Sequence, residues 1–194
     1  MQIAHRFLFS AMWISWIVYW IWASRNAKPT ERRESLGSRL LHVVPLVLAV
    51  ALLWGDRVPI AVLNERILPW APWEFWVAAF VTAAGMLFSV WARVHLGRNW
   101  SAVVTIKEGH ELIDTGPYAL VRHPIYTGLL IAIFGSAMAR GEWRGVLAVL
   151  IAFAALSRKL RLEERWMTER FGEEYVAYRR RVPALVPSLK RGRA

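Results

Sequence analysis

A chain of 194 residues has room for one domain or a small two-part arrangement. It is 56% apolar, with positive mean hydropathy and twelve tryptophans, which exceeds ordinary soluble usage, and having no cysteine it can form no disulfide, thiolate nucleophile, Cys-based zinc site or iron–sulfur cluster. The net charge of +11 is spread between apolar stretches rather than gathered on one module, which argues against a nucleic-acid-binding protein.

Five apolar stretches run along the chain, at 7–23, 40–54, 75–92, 125–139 and 146–156, the last continuing into a basic helical turn. The first lacks a small-x-small cleavage site before Arg25 and is expected to be retained rather than removed as a signal peptide. A perpendicular crossing takes about 20 residues. The shorter stretches must therefore be completed by flanking Trp and Arg that snorkel to the interface. The segment 58–68 is apolar but too short to span, and is expected to lie along the interface. The fold class is all-α: an integral membrane bundle of about five transmembrane helices. Trp54, Trp70, Trp73, Trp76 and Trp143 are expected to mark one membrane boundary and Trp91, Trp100 and Trp166 the other. Trp13, Trp16 and Trp20 are expected in the core.

Basic residues set the orientation. Five fall in 25–39, four in 93–122 and eleven after Leu156, against five on the opposite side. Lys and Arg favour cytoplasmic loops. The expected topology is multi-pass, with the N-terminus outside and the C-terminus in the cytosol. Within one membrane domain, 1–194, residues 1–92 are expected to form a three-helix N-terminal part. Residues 93–194 are expected to carry the chemistry, as a loop 97–123, a helical hairpin 124–157 and a cytosolic tail 158–194.

The loop contains Gly97-Arg98-Asn99-Trp100, then His110-Glu111-Leu112-Ile113, Gly116-Pro117-Tyr118 and Arg122-His123-Pro124-Ile125-Tyr126. Pro124 suits the first position of a helix and pushes His123 toward extended backbone. His123 thus stands at a helix mouth, with Tyr126 in the first turn, where free amides and a positive dipole favour a carboxylate. The same two side chains could equally be interfacial anchors. In the tail, Lys159 and Glu163 are four residues apart and share a helix face, with helical spacing continuing from Glu163 to Tyr178. Alone, that segment reads as a charged helix lying on anionic lipid.

Together the two segments say more. Gly116-Pro117-Tyr118, Arg122-His123-Pro124, Tyr126 and Gly128 are followed, past a hydrophobic hairpin, by further signature residues. These are Glu163-Glu164, Phe171-Gly172, Glu174-Tyr175, Tyr178, Val182-Pro183 and Pro187. This order and spacing, over about 96–189, resembles the isoprenylcysteine carboxyl methyltransferases and the related phosphatidylethanolamine N-methyltransferases. The resemblance implies a helical membrane bundle whose cytosolic loop and tail close over S-adenosylmethionine, with S-adenosylhomocysteine as product. It implies cofactor contacts at His110, Glu111, Leu112, Ile113, Tyr118, His123, Pro124, Ile125, Tyr126, Lys159 and Glu163, and no metal. Lys159 stands where eukaryotic relatives have Arg, which keeps the charge but not a bidentate contact, so Arg158 or Arg161 could substitute. Thr105 falls near a position those relatives fill with Gln.

Arg98, Asn99 and Trp100 are the acceptor-side candidates, and no spacing argument selects among them. The implied acceptor is an amphiphile from the bilayer, an isoprenylcysteine carboxylate, a lipid amine or a thiol. Two rival readings stand beside this one. A sterol-reductase-like NADPH enzyme shares an Arg-His…Tyr and Tyr…Val-Pro region, but is expected to be longer and lacks the proline after the histidine. A non-catalytic scaffold or small transporter would explain the spans, but not polar His, Tyr and Glu groups converging at one helix mouth.

Overall fold

The structure, a computed structural model, describes residues 2–25, 30–69, 71–97, 100, 105–107 and 112–188. Each apolar stretch lies within a helix: α1 (Gln2–Ser24), α2 (Leu36–Trp54), α3 (Pro72–Leu96), α4 (Pro124–Arg140) and α5 (Trp143–Phe171). A short α6 (Glu173–Arg181) follows. Local sequence explains the boundaries. Ser35 caps α2 by accepting from the Ser38 amide at 3.3 Å. Pro72 and Pro124 open α3 and α4, where a missing amide proton costs nothing. The tail helix expected over 163–178 is instead two helices. Gly172, with φ of +54°, ends α5, and Glu173 and Glu174 start α6.

By length and composition α1, α2 and α3 suffice to cross a membrane; α4 is a shorter apolar helix, and α5 is apolar only in its first half. The outer surface carries Val47, Leu48, Phe80, Leu87, Leu150 and Phe153, all exposed, as a lipid-facing bundle requires. The chain is an integral membrane protein.

Helices α3 and α4 make the tightest contact, and small residues are the reason. A Cβ added at Gly85 would lie 2.5 Å from both Ala132 N and Gly128 O; one added at Gly128 would lie 2.5 Å from Gly85 O. The backbones therefore touch, a packing mode that stands in for the missing hydrophobic driving force inside a bilayer. Trp13 Nε1 donates to Ser136 Oγ at 3.0 Å and Trp16 Nε1 to Ser89 Oγ at 2.8 Å, which docks α1 on α4 and α3. Trp20 continues this ladder.

The belt of tryptophans is only partly as expected. Trp73, Trp76, Trp91 and Trp143 are exposed, but Trp100 and Trp166 are buried against protein and Trp54 packs edge-on against Trp13 at 5.7 Å. Trp70 lies outside the described residues. The segment 58–68 folds around Asn64, whose side-chain amide donates to Val58 O and accepts from Val58 N. Ile60 and Val62 project outward from it.

The two ends of the bundle differ. At one end Arg140 and Arg144 both donate to Gly55 O at 2.8 Å, and Arg66 donates to Arg140 O at 2.8 Å, closing the α2–α3 connection onto the α4–α5 turn. At the other, basic end, β1 (Thr30–Arg33) pairs antiparallel with β2 (Thr105–Lys107), joining the α1–α2 and α3–α4 connections.

Candidate active site

The basic end brings the mouth of α4 against the polar extension of α5. Pro124 fixes the first turn, so His123 caps α4 with non-helical backbone and its ring stacks on Tyr126, centroids 5.5 Å apart and planes 2° from parallel. α5 runs past its apolar half and presents Lys159, Glu163 and Glu164 to that mouth. Tyr126 Oη donates to Glu163 Oε1, and the other oxygen of the same carboxylate faces His123 Nδ1 at 3.6 Å. The second ring nitrogen, Nε2, lies 3.2 Å from Glu164 Oε1. Lys159 Nζ sits 5.2 Å from the Tyr126 ring centroid, a cation–π contact that also places its charge beside Glu163.

Arg122 completes the cluster. Its Nε and Nη2 donate to Glu164 Oε1 at 2.8 and 2.5 Å, and Nη1 donates to the carbonyls of Arg179 and Val182. The tail then crosses the α4 mouth as a strap. Pro183 O accepts from the Arg122 amide at 2.8 Å, Ala184 O from the His123 amide at 3.0 Å, and Leu185 O from the Thr127 hydroxyl at 2.7 Å. Tyr178 Oη donates to Tyr118 O at 2.6 Å, tying α6 to the turn before α4.

The electrostatics follow from this packing. Burial opposes charge on His123, but the carboxylates of Glu163 and Glu164 outweigh it and raise its pKa above the ordinary histidine value. Burial likewise opposes the Glu163 carboxylate, yet His123, Lys159 and the Tyr126 hydroxyl hold its pKa below the usual range. Glu164, with His123 and Arg122 outweighing burial, is drawn down to about 2. The Tyr118 phenol is pushed well up by burial and by Glu163. The result is a histidine ring held between two carboxylates, hydrogen-bonded to Glu164 and in ion-pair range of Glu163. The Glu163 side chain keeps 24% exposure while that of His123 has 9%, so the carboxylate is the part of the cluster open to a ligand.

Of the residues singled out from sequence, the structure brings His123, Tyr126, Lys159 and Glu163 into mutual contact, with Pro124 and Ile125 forming the helix start between them. Tyr118 is buried and electrostatically coupled to Glu163. Leu112 and Ile113 are half-buried in the segment leading to the Gly116–Ala119 turn. Trp100 has other neighbours: its ring packs on Trp20 at 5.1 Å and lies under the Arg93 guanidinium at 4.6 Å. Arg98, Asn99, His110 and Glu111 lie outside the described residues, and of Thr105 only the β2 backbone is described. Arg158, a suggested stand-in for Lys159, is turned to α2, where it donates to Ser38 O at 3.0 Å; Arg161 is exposed.

Sequence reasoning passed over two groups. Arg122 and Glu164 were read only as part of a motif, though their adjacency to His123 and Glu163 was a usable signal. Glu34 and His42 are buried at the basic end of α2; His42, an ionisable residue inside the apolar run 40–54, carries a signal of its own, whereas Glu34 does not.

Residues 73–174, which hold α3, α4, α5 and the whole His123–Glu163–Glu164 cluster, match the phospholipid methyltransferase family. The chain belongs to that family. Among the relatives of this family member is the protein-S-isoprenylcysteine O-methyltransferase of Schizosaccharomyces pombe. It is 34% identical over 101 residues, covering 50% of this chain and 43% of the relative. The cobalt-zinc-cadmium resistance protein CzcN of Cupriavidus metallidurans is 38% identical over 117 residues, 59% of this chain and 52% of that protein. A probable protein-S-isoprenylcysteine O-methyltransferase of Oryza sativa subsp. japonica is 28% identical over 166 residues, covering 82% and 84%. This chain thus spans about half the length of the first two relatives.

Proposed function

We propose that the chain is a membrane-embedded, S-adenosylmethionine-dependent methyltransferase that passes a methyl group to a lipid-like acceptor at its basic, cytosolic end. The observation that carries this reading is the Glu163 carboxylate, half-buried and ringed by Tyr126, His123 and Lys159 at the α4 mouth within the family-matched segment.

The donor set suits the cofactor. S-adenosylmethionine presents a sulfonium and an ammonium close to a carboxylate. Glu163 can receive the cationic part. Among the described residues no side chain caps α4, which leaves its first-turn amides, with Lys159 nearby, for the carboxylate. Tyr118, Leu112 and Ile113 offer packing for the adenine, and His110 and Glu111 belong to the same segment of chain. When bound, the group supplies an electrophilic methyl on sulfur. The chain's residues bind, orient and exclude water, and such alignment is worth on the order of 7–11 kcal/mol. His123, whose pKa is raised by its two carboxylate neighbours, serves in this reading to orient Glu163.

A carboxylate or thiolate acceptor needs no base, whereas an amine must arrive deprotonated. Arg98, Asn99 and Trp100 remain the candidates for contact with the acceptor. Isoprenylcysteine is favoured by the names of two relatives, and a lipid tail held in hydrocarbon would let its head reach the cluster. In this reading residues 93–194 form the catalytic part and 1–92 its membrane support.

Calorimetry on detergent-purified protein tests the proposal. S-adenosylhomocysteine is expected to bind and NADPH not to. Binding of NADPH alone would overturn it. Incubation with membrane lipid extracts, followed by a search for a mass gain of one methylene, then identifies the acceptor.

A further inference from the structure

Arg158, His42 and Glu34 form a buried polar chain between α5 and the start of α2, at the basic end of the bundle. Glu34 and His42 lie outside the family-matched residues 73–174. His42 is 2% exposed and Glu34 7%. Charged groups so far from water cost desolvation energy, and a well-attested use for them is to fix a register between elements. Arg158 Nη1 donates to Ser38 O at 3.0 Å, its Nη2 to Ser38 Oγ at 3.3 Å, and Nη1 also lies 3.4 Å from His42 Nδ1. A guanidinium has only donors, so Nδ1 accepts. The ring proton then sits on Nε2, which faces Glu34 Oε1 at 3.4 Å. Cation, neutral imidazole and carboxylate follow one another from α5 to the chain just before α2.

What this arrangement holds is the next residue face of α5. Lys159 and Glu163 follow Arg158 on the same helix, and both lie within electrostatic reach of His42. Rotation of α5 about its axis would carry Glu163 away from Tyr126 and His123. Arg158, gripped by α2, opposes that rotation and is itself kept from the Glu163 carboxylate. Glu34 directly follows β1, whose partner β2 belongs to the α3–α4 connection. The same contacts therefore reach the loop that bears the acceptor-side candidates.

We infer that Glu34, His42 and Arg158 are a positioning relay by which the β1–α2 segment sets the rotation of α5, and with it the aim of Glu163 at the cofactor. The inference rests on the methyltransferase reading above.

The test is the dissociation constant for S-adenosylhomocysteine on the full-length, detergent-purified chain, measured beside apo thermal unfolding. His42→Leu should raise the constant about tenfold, the size of one lost charge-assisted hydrogen bond. His42→Gln can accept from Arg158 and donate to Glu34 at once, and should recover affinity to within roughly threefold of the starting protein. Arg158→Leu should weaken binding comparably, and the double variant should be no worse than either single, because both break one chain of contacts. Unchanged affinity in His42→Leu overturns the relay. So do equal losses in the Leu and Gln variants, additive losses in the double variant, or lower thermal stability with unaltered affinity. Should His42→Leu fail to fold, Glu34→Gln, which removes the charge but keeps the shape, carries the same expectation. If the unsubstituted chain itself binds no S-adenosylhomocysteine, the methyltransferase reading falls and the relay with it; binding by that chain with indifferent variants sinks the relay alone.

Discussion

Replacing Glu163 by Gln separates binding from folding at the candidate site. In the folded protein the carboxylate accepts from Tyr126 Oη, faces His123 Nδ1 at 3.6 Å and lies beside Lys159. The amide is isosteric, and its oxygen can still accept from Tyr126. That bond changes from charge-assisted to neutral, a loss of about 1 kcal/mol. His123 keeps Glu164 as a partner, so its ring is not left without a hydrogen bond. Apo stability should therefore fall by only a few degrees. A bound sulfonium or ammonium, by contrast, loses the counter-charge that Glu163 would supply. The cost of a missing charge-assisted contact, about 1.5–3 kcal/mol, corresponds to roughly a 10- to 150-fold rise in dissociation constant. Calorimetry with S-adenosylhomocysteine and intrinsic tryptophan fluorescence during heating read the two effects on one preparation. Undiminished affinity in a folded Glu163→Gln protein would refute the assignment of Glu163 to the cofactor.

Three further outcomes are expected. The contribution of the His123–Glu164 pair to thermal stability in detergent should be greatest in mildly acidic solution. The raised His123 pKa gives stability that is complete below its ordinary value of 6.5 and is lost as pH climbs through the higher folded value. The depressed Glu164 pKa gives stability that is complete above 4.5 and is lost as pH falls toward about 2. A melting temperature that keeps rising above pH 6.5 would contradict this. Gly128→Val should abolish a monodisperse folded species on size exclusion, since its Cβ would meet Gly85 O at 2.5 Å and Ser89 N at 2.7 Å; Gly37→Ala, with nothing within 4 Å, is the harmless control. Because the chain has no cysteine, single reporters test its orientation cleanly. Arg57→Cys should react with an impermeant maleimide on intact cells and Arg165→Cys only after lysis, and the reverse pattern would invert the topology.

The helices were legible because a bilayer demands long apolar runs, and nothing else in the chain competes with that signal. The boundary at Gly172 was legible only in hindsight: helical spacing continues across it, and what breaks the helix is backbone conformation, which spacing does not encode. The contacts among His123, Tyr126 and Glu163 could be anticipated because each belongs to a motif fixed to a helix end. Trp100 misled because an aromatic residue near an apolar boundary looks the same whether it faces lipid or a partner such as Trp20. Glu34 and His42 were missed for the opposite reason. Their meaning depends on Arg158, more than a hundred positions away, and no local pattern announces that pairing.

Helix length explains why the polar cluster sits recessed at the basic end, where the proposed lipid acceptor and cofactor would meet. The 17 residues of α4 rise about 25 Å, short of a hydrocarbon core of about 30 Å. The 29 residues of α5 rise about 43 Å and overshoot it. With their other ends joined by the tight turn at Gly141, the mouth of α4 must be recessed relative to the end of α5. His123 therefore meets the flank of α5, at Glu163 and Glu164, instead of its tip. A polar cluster in that recess is costly unless every charge is paired, and Arg122, Lys159 and the strap carbonyls of Pro183 and Ala184 meet that need. In the proposed reaction the same recess would leave a lipid head close to the cluster while its chain stays in hydrocarbon, so the length mismatch between two adjacent helices would itself create the place for the chemistry.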